Sequence, residues 1–256
     1  MLIAQRQSRL EELLAQRGMS DLESLSAVLD VSQSTIRRDV ENLEARGLVR
    51  RTHGGVIWLG ERPTSNVRPY AFDSRLTYNT DAKAKIAAVA RTLVQPNQTI
   101  LIDGGTTTFH FAQALADVPL TIVTNSLPIA NLFLNDDNVE LLVIGGLLYP
   151  KYGVLLGPHA EHTLETLHGH TLFLSVGGIN AGMLYNQNLL LVQAERKMMQ
   201  QSQRIVLLAD SSKFGQQSLV QLCSLDQIDV IVADVNLSVD HRRQVQDAGC
   251  ELLIAE

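Results

Sequence analysis

The apolar positions change their spacing twice along the chain. Ile3, Leu10, Leu13 and Leu14 stripe a first helix that ends near Gly18, and Leu22, Leu25, Val28 and Leu29 mark a short second one. A third helix opens at Ser32, which stands where an N-cap belongs. It carries Ile36, Val40 and Leu43 on one stripe and stops at Gly47. Two short strands follow, Leu48 to Arg51 and Val56 to Trp58, around a hairpin turn at Thr52-His53-Gly54-Gly55. From Leu59 to Thr80 the periodicity fades, and Pro63 and Pro69 interrupt it. Asp81 then begins a helix with Ile86, Val89, Ala90 and Leu93 on one side. After it, strands at 99–103, 120–124 and 139–144 alternate with helices at 106–115 and 126–134. Further on come a helix at 190–201, strands at 205–210, 230–233 and 251–254, and a helix through Val245. Such alternation predicts a mostly parallel sheet covered by helices. The expected fold class is α/β: a small winged helix-turn-helix domain over 1–58 (helix-turn-helix about 20–41), a linker over 59–80, and a mostly parallel α/β domain over 81–256.

The third helix also carries chemistry. At about 100° per residue, Ser34 and Arg38 fall opposite the apolar stripe, Gln33 and Arg37 on one shoulder and Thr35 on the other. Together with Ser32 at the cap and Arg50, Arg51 and His53 at the root of the wing, they form a set of donors suited to the phosphates and base edges of double-stranded DNA. Glu41 and Glu44 would be repelled by a phosphate backbone, so only the first two turns suit a groove. The net charge of −6 looks wrong for such a surface until it is divided. Residues 1–60 hold eight Arg and eight acids, and the whole deficit lies in residues 61–256. A neutral head with its basic groups clustered near the third helix gives a weak, local electrostatic footprint that a dimer would double. No apolar run approaches the ~20 residues of a membrane span, and the N-terminus lacks a signal-peptide layout, so a cytoplasmic location is expected. Cys223 and Cys250 form no CxxC pair, which argues for reduced thiols.

In the second domain three strands end in paired glycines: Gly104-Gly105, Gly145-Gly146 and Gly177-Gly178. Ligands of open α/β sheets bind at the carboxyl ends of strands, and the three ends are expected to converge on one crevice. Asp103-Gly104-Gly105-Thr106-Thr107-Thr108 runs from a strand into a helix, where free N–H groups, hydroxyls and the positive helix end favour an anion such as phosphate. Glycine plus threonine also simply caps helices. The lysine of a Walker loop and the spacing of a dinucleotide fingerprint are both missing, which argues against ATP and NAD and for no cofactor. His159, His162, His168 and His170 lie close in sequence without a tight four-ligand spacing, so no metal is expected.

The run TIRRDVENLEARGLVRRTHGG closely resembles the N-terminal signature of the DeoR family of bacterial transcriptional regulators. DGGTTT, TNSLPIAN at 124–131, IGG at 144–146 and ADSSKFG at 209–215 resemble the sensor domain of the same family, which is similar in fold to ribose-5-phosphate isomerase and the CoA transferases. The resemblance implies a homodimeric or homotetrameric repressor of a carbohydrate-utilisation operon, released from its operator by a phosphorylated sugar. NSLPIAN and AERKM are most similar to regulators of ascorbate or other sugar-acid utilisation. By position, Gly104 to Thr108 would hold the phosphate. Asp103, Asn125, Gly145, Gly146, Lys151, Tyr152, Gly178, Glu195, Asp210 and Lys213 would complete the effector site. The family commonly carries an Asp where this chain reads His170-Thr171-Leu172-Phe173, and Gly-Ile-Asp where it has Gly178-Ile179-Asn180. Loss of both acids bears on the effector chemistry and counts against proton-transfer catalysis, which needs a positioned carboxylate. The alternative from the residues is an isomerase- or transferase-like enzyme with an accessory DNA-binding head, using Asp103, Glu195 or Asp210 as base.

Overall fold

The computed structural model describes residues 6, 7, 9–11, 13, 14, 19–29, 31–45, 47–52, 55–59 and 72–256. Ile3, Gly18, Asp30, His53, Gly54 and the stretch 60–71, with Pro63 and Pro69, lie outside the described residues. The chain divides into two compact units, residues 1–68 and 69–256.

In the first unit, helix α1 is described at 6, 7, 9–11, 13 and 14. It is followed by β1 (Met19–Asp21), α2 (Leu22–Leu29), α3 (Gln33–Ala45), β2 (Val49–Arg51) and β3 (Gly55–Trp58). Ile36, Val40 and Leu43 of α3 are buried together with Leu10, Leu14, Leu25, Leu29, Val49, Val56 and Trp58, so the apolar stripes meet in one core. Asp21 caps α2, its Oδ1 accepting from the Ser24 N–H at 2.7 Å. Gly47 leaves α3 with φ of 73°, a conformation glycine adopts without a Cβ penalty. The wing is not the two-stranded hairpin that its sequence pattern suggests. It is a three-stranded antiparallel sheet in the order β1-β3-β2, with Met19 opposite Ile57. Three residues are too few to display a period of two, so β1 has no signal of its own.

The second unit is built on seven parallel strands: β4 (Thr99–Ile102), β5 (Leu120–Thr124), β6 (Val139–Val143), β9 (Gly169–Leu174), β12 (Ser202–Leu208), β14 (Val230–Asp234) and β15 (Glu251–Ala255). Their order in the sheet is β15-β14-β12-β9-β4-β5-β6. Ile100, Ile102, Phe173, Val206 and Val232 face a core shared with α5 (Thr80–Arg91), α6 (Thr106–Gln113) and α7 (Leu127–Leu132). Leu101, Leu172, Leu174, Leu207 and Ile231 face the opposite core, with α8 (Pro158–Leu164), α9 (Leu189–Gln200) and α10 (Val239–Asp247). Burial on both faces explains why these strands read as continuous apolar runs.

Two smaller sheets escaped the sequence pattern. One is the hairpin of β7 (Leu147–Tyr149) and β8 (Val154–Leu156), and the other joins β10 (Gly178–Asn180), β11 (Met183–Asn186) and β13 (Val220–Ser224). Ala181 and Gly182 both take positive φ at the β10–β11 turn, and without an Asn-Gly or Asp-Gly pair that turn has no sequence signature. Residues 72–80, placed in the linker by their faded periodicity, belong structurally to the second unit. Helix α4 (Phe72–Leu76) sets Phe72 edge-on against Phe109, with ring centroids 5.5 Å apart, and Asn79 donates to Asp210 Oδ1 at 3.1 Å.

Chain order steps from β4 through β5 to β6 in one direction and from β9 through β12 and β14 to β15 in the other. The switch point lies between β4 and β9, where the carboxyl ends of adjacent strands part to leave a crevice.

Candidate DNA-binding surface and ligand cavity

At the start of α3 the Ser32 Oγ accepts from the Thr35 N–H at 3.3 Å and lies 2.8 Å from Ser34 Oγ and 2.9 Å from Thr35 Oγ1. Ser32, Gln33, Ser34, Arg37 and Arg38 are exposed, Thr35 is half-buried, and Arg50 is exposed on β2. Arg51 differs from the other arginines. Its guanidinium pairs with Glu44 at 2.6 Å and Glu41 at 2.9 Å, and its N–H donates to Glu44 Oε1 at 2.9 Å. Arg51 offsets only one of the two negative charges of Glu41 and Glu44, so that end of α3 keeps a net negative charge while the Arg51 guanidinium is shared with both acids. Asp39 went unremarked in the sequence although it sits three residues after Ile36, on the buried stripe. It is buried, and accepts from Arg6 at 2.6 and 3.2 Å and from Gln7 at 3.1 Å, which ties α1 to the back of α3.

In the second unit a cavity of about 640 Å³ opens at the β4/β9 switch point. Asp103 and Gly104 reach it from the end of β4, Thr106 and Thr107 from the first turn of α6, and Ser175 and Gly177 from the end of β9. Arg75, Tyr78, Lys83, Tyr152, Asn186, Glu195, Ser212 and Lys213 close it. Arg75 stacks on the Tyr152 ring at 4.6 Å, and the Tyr152 hydroxyl donates to Gln187 Oε1 at 3.0 Å. Buried Lys83 donates to the Arg75 and Tyr78 carbonyls, both at 2.5 Å. Burial lowers its pKa to about 8, and the neighbouring Lys213 and Arg75 push the same way against Asp210. Burial also lowers Lys213 and Arg75. Asp103 is pushed up to about 7 by burial, against the opposing pull of the Gly104 and Ser175 N–H groups and Arg75. Glu195 is raised well above the usual carboxylate range by burial and then by Asp103. The wall thus combines three cations, two carboxyls and the open N–H groups of a helix start.

Of the residues expected at this site, Asp103, Gly104, Thr106, Thr107, Tyr152, Glu195 and Lys213 line the cavity. Others fall outside that lining. Gly145 and Gly146 follow β6 at the sheet edge, two strands from β4, so two of the three glycine-paired ends converge rather than all three. Thr108 bonds the Gly105 carbonyl at 3.0 Å, Asn125 donates to Leu155 O at 3.2 Å, and Lys151 donates to Gln187 at 3.2 Å. Asp210 supports the wall from behind through Asn79 and Ser212. The glycines serve packing: a Cβ on Gly104 would overlap Val154, one on Gly105 the Ser175 hydroxyl, and one on Gly178 the Gln216 backbone. Arg75, Tyr78, Lys83, Asn186 and Gln187 were missed. Lys83, which the apolar spacing sets apart from the Ile86 side, is in fact buried with Ile86 and Ala87 on α5.

Residues 6–61 match the family model of the DeoR-like helix-turn-helix domain, and residues 78–235 that of the DeoR C terminal sensor domain. The chain belongs to the DeoR family of transcriptional regulators. Among relatives of this DeoR-family chain, the L-fucose operon activator of Haemophilus influenzae is 38% identical over 87% of this chain and 88% of its own. A putative aga operon transcriptional repressor of Escherichia coli O157:H7 is 31% identical over 98% and 93%. Ribose 5-phosphate isomerase A from Methanocaldococcus jannaschii matches with a TM-score of 0.39 and 18% identity over 53% of this chain and 55% of that one.

The two departures from the family pattern fall away from the cavity. His170 lies at the start of β9, the end opposite the crevice, where its Nδ1 accepts from the Thr99 N–H at 3.1 Å, and Asn180 closes β10 at the turn. Their replacement therefore leaves Asp103 and Glu195 in the wall untouched. His162 approaches Glu165 at 3.5 Å on an exposed helix, and among the described residues no three His, Cys, Asp or Glu side chains are grouped to hold a metal. No helix among them is long and apolar enough to cross a membrane.

Proposed function

We propose that this regulator is a cytoplasmic repressor of a carbohydrate-utilisation operon, released from its operator when a phosphorylated sugar or sugar acid occupies the β4/β9 cavity. The observation that carries the reading is the meeting of Arg75, Lys213 and the first-turn N–H groups of Thr106 and Thr107 in one cavity, which suits a phosphate dianion. Gln33, Ser34, Arg37 and Arg38 read base edges in the major groove, and Ser32, Thr35, Arg50, Arg51 and His53 hold the backbone. A homodimer or homotetramer places two α3 helices on a pseudo-palindromic site. Effector binding favours a conformation with weaker operator affinity, and by linkage operator DNA weakens effector binding by the same factor. Relatives named as an activator and as a repressor both exist, so the sign is part of the proposal.

The test is a mobility shift with DNA from upstream of the gene, with and without a panel of sugar phosphates and phosphorylated sugar acids, followed by transcription from the same DNA in vitro. Release by one compound with relief of transcription supports the proposal. Operator binding that no compound alters removes the sensing half, and transcription that rises on binding reverses the sign.

A further inference from the structure

Strand β6 closes one end of the seven-stranded sheet and pairs only with β5. Its ladder to β5 uses alternate residues: Asn138 O accepts from the Leu120 N–H at 3.2 Å, and the Ile144 N–H donates to Thr124 O at 2.8 Å. The N–H and C=O groups of Leu141 and Val143 therefore point to the open edge. Folded proteins guard such an edge with lysine, proline, a bulge or a covering element. This one carries none of them among the described residues. From Leu141 to Tyr149 there is neither charge nor proline, the β5–β6 register is unbroken, and Leu142, Val143, Leu147 and Leu148 are 37, 39, 72 and 45% exposed. Glu140, the acid on the strand, is drawn back over the sheet, its Oε2 accepting from Thr121 Oγ1 at 3.2 Å.

We infer that a second copy of this chain docks on this edge, its β6 running antiparallel to the first about a two-fold axis at Leu142. That register sets Leu141 of each copy opposite Val143 of the other, so the outward N–H and C=O groups exchange two hydrogen bonds on either side of the axis. Leu142 meets its own counterpart at the axis. The two Glu140 residues fall on opposite sides of it, about 13 Å apart along the strands. That exceeds the ~8 Å over which salt screens charge at physiological ionic strength, so like charges do not oppose the pairing. Leu127 on α7, which packs against β6, and Leu134 just beyond that helix are exposed as well. These six side chains offer roughly 600 Å² per copy and about 1,200 Å² for a symmetric pair, which reaches the lower bound of a stable specific interface. A partner of different sequence would need its own uncharged edge, whereas a copy of this chain already brings one. The inference rests on the oligomer reading above and names the surface behind it.

The test is sedimentation of the full chain beside Val143→Pro, Leu147→Lys and Leu219→Lys, the last at an apolar position just before β13 that is 85% exposed. Val143→Pro removes one outward N–H and leaves the ladder to β5 intact. Val143→Pro and Leu147→Lys sediment at half the parent's mass with unchanged far-UV circular dichroism, and Leu219→Lys keeps the parent's mass. In a chain whose Cys223 and Cys250 are buried, Leu142→Cys forms a disulfide-linked dimer under mild oxidation, because residues at that kind of position approach within bridging distance, and Leu219→Cys does not. A parent chain that is monomeric at micromolar concentration overturns the oligomer reading and this inference together. An oligomer whose mass Leu147→Lys leaves unchanged, or a Leu142→Cys chain that fails to cross-link, overturns this surface alone. Should Val143→Pro fail to fold, those two variants decide.

Discussion

Asp103→Asn separates the cost of the cavity from its use. The Asp103 carboxyl sits at about 7 in the folded chain against 3.8 for the free side chain, chiefly because burial disfavours its charge. A carboxyl raised by folding stabilises the native state fully below its unfolded value, and that stabilisation is lost as pH climbs from about 4 through about 7. A shift of about three units corresponds to roughly 4 kcal/mol once both states are deprotonated, at ~1.4 kcal/mol per unit. Asparagine keeps an oxygen for the Gly104 and Ser175 N–H groups and cannot ionise. Its amide, however, puts an N–H where Oδ1 lacked a partner, so we expect about 2–4 kcal/mol of added stability near pH 8 and little near pH 4. For a unit of this size that is on the order of 5–10 °C in Tm. The assay is thermal unfolding followed by far-UV circular dichroism across that pH range. The single tryptophan, Trp58, lies in the N-terminal unit, so its fluorescence follows that unit's unfolding separately. A variant whose Tm difference from the parent is the same near pH 4 and pH 8, or which is less stable near pH 8, refutes the argument.

Three further outcomes follow from the same geometry. Arg38→Ala should lower operator affinity by roughly 1–3 kcal/mol in a mobility shift without changing the fold, and Arg51→Ala should cost less, since that guanidinium is already shared with Glu41 and Glu44. Arg75→Ala should weaken binding of inorganic phosphate at least tenfold in calorimetry, whereas Lys151→Ala, which is not itself in the cavity lining and reaches it only through Gln187, should change it less than threefold. Gly178→Ala forces a methyl into the Gln216 backbone and should lower stability by about 1–3 kcal/mol in denaturant unfolding, while Gly145→Ala, with open space around it, should stay within about 0.5 kcal/mol.

What the chain spells out locally is what local physics controls. The stripe of Ile36, Val40 and Leu43, the Ser32 cap and the Gly47 stop each depend on residues within a turn or two, and all three are legible without a structure. The same holds for the apolar runs of β4, β5, β9, β12 and β14, because a strand buried on both faces needs no partner's identity to be recognised. The glycine-threonine turn after β4 was equally visible, and its Gly104, Thr106 and Thr107 line the cavity. Its other walls had no such signature. Arg75 stands on a helix of five residues that buries little of its own, Lys83 reads as one more surface lysine until its two carbonyl partners are seen, and Asn186 lies on a strand too short to declare itself.

Sequence alone therefore determined two things: a helix-turn-helix head with a polar, arginine-bearing first turn, and a parallel sheet with an anion-suited loop at one strand end. Tertiary structure alone decided which strand ends meet. Strand order is set by crossovers that bring residues 75, 103, 152, 186, 195 and 213 together across more than a hundred positions, and no spacing along the chain encodes that. It also decided charge. Arg51 is neutralised by acids seven and ten residues away, while Asp103 and Glu195, ordinary carboxylates on paper, become proton-holding groups because their neighbours exclude water from them.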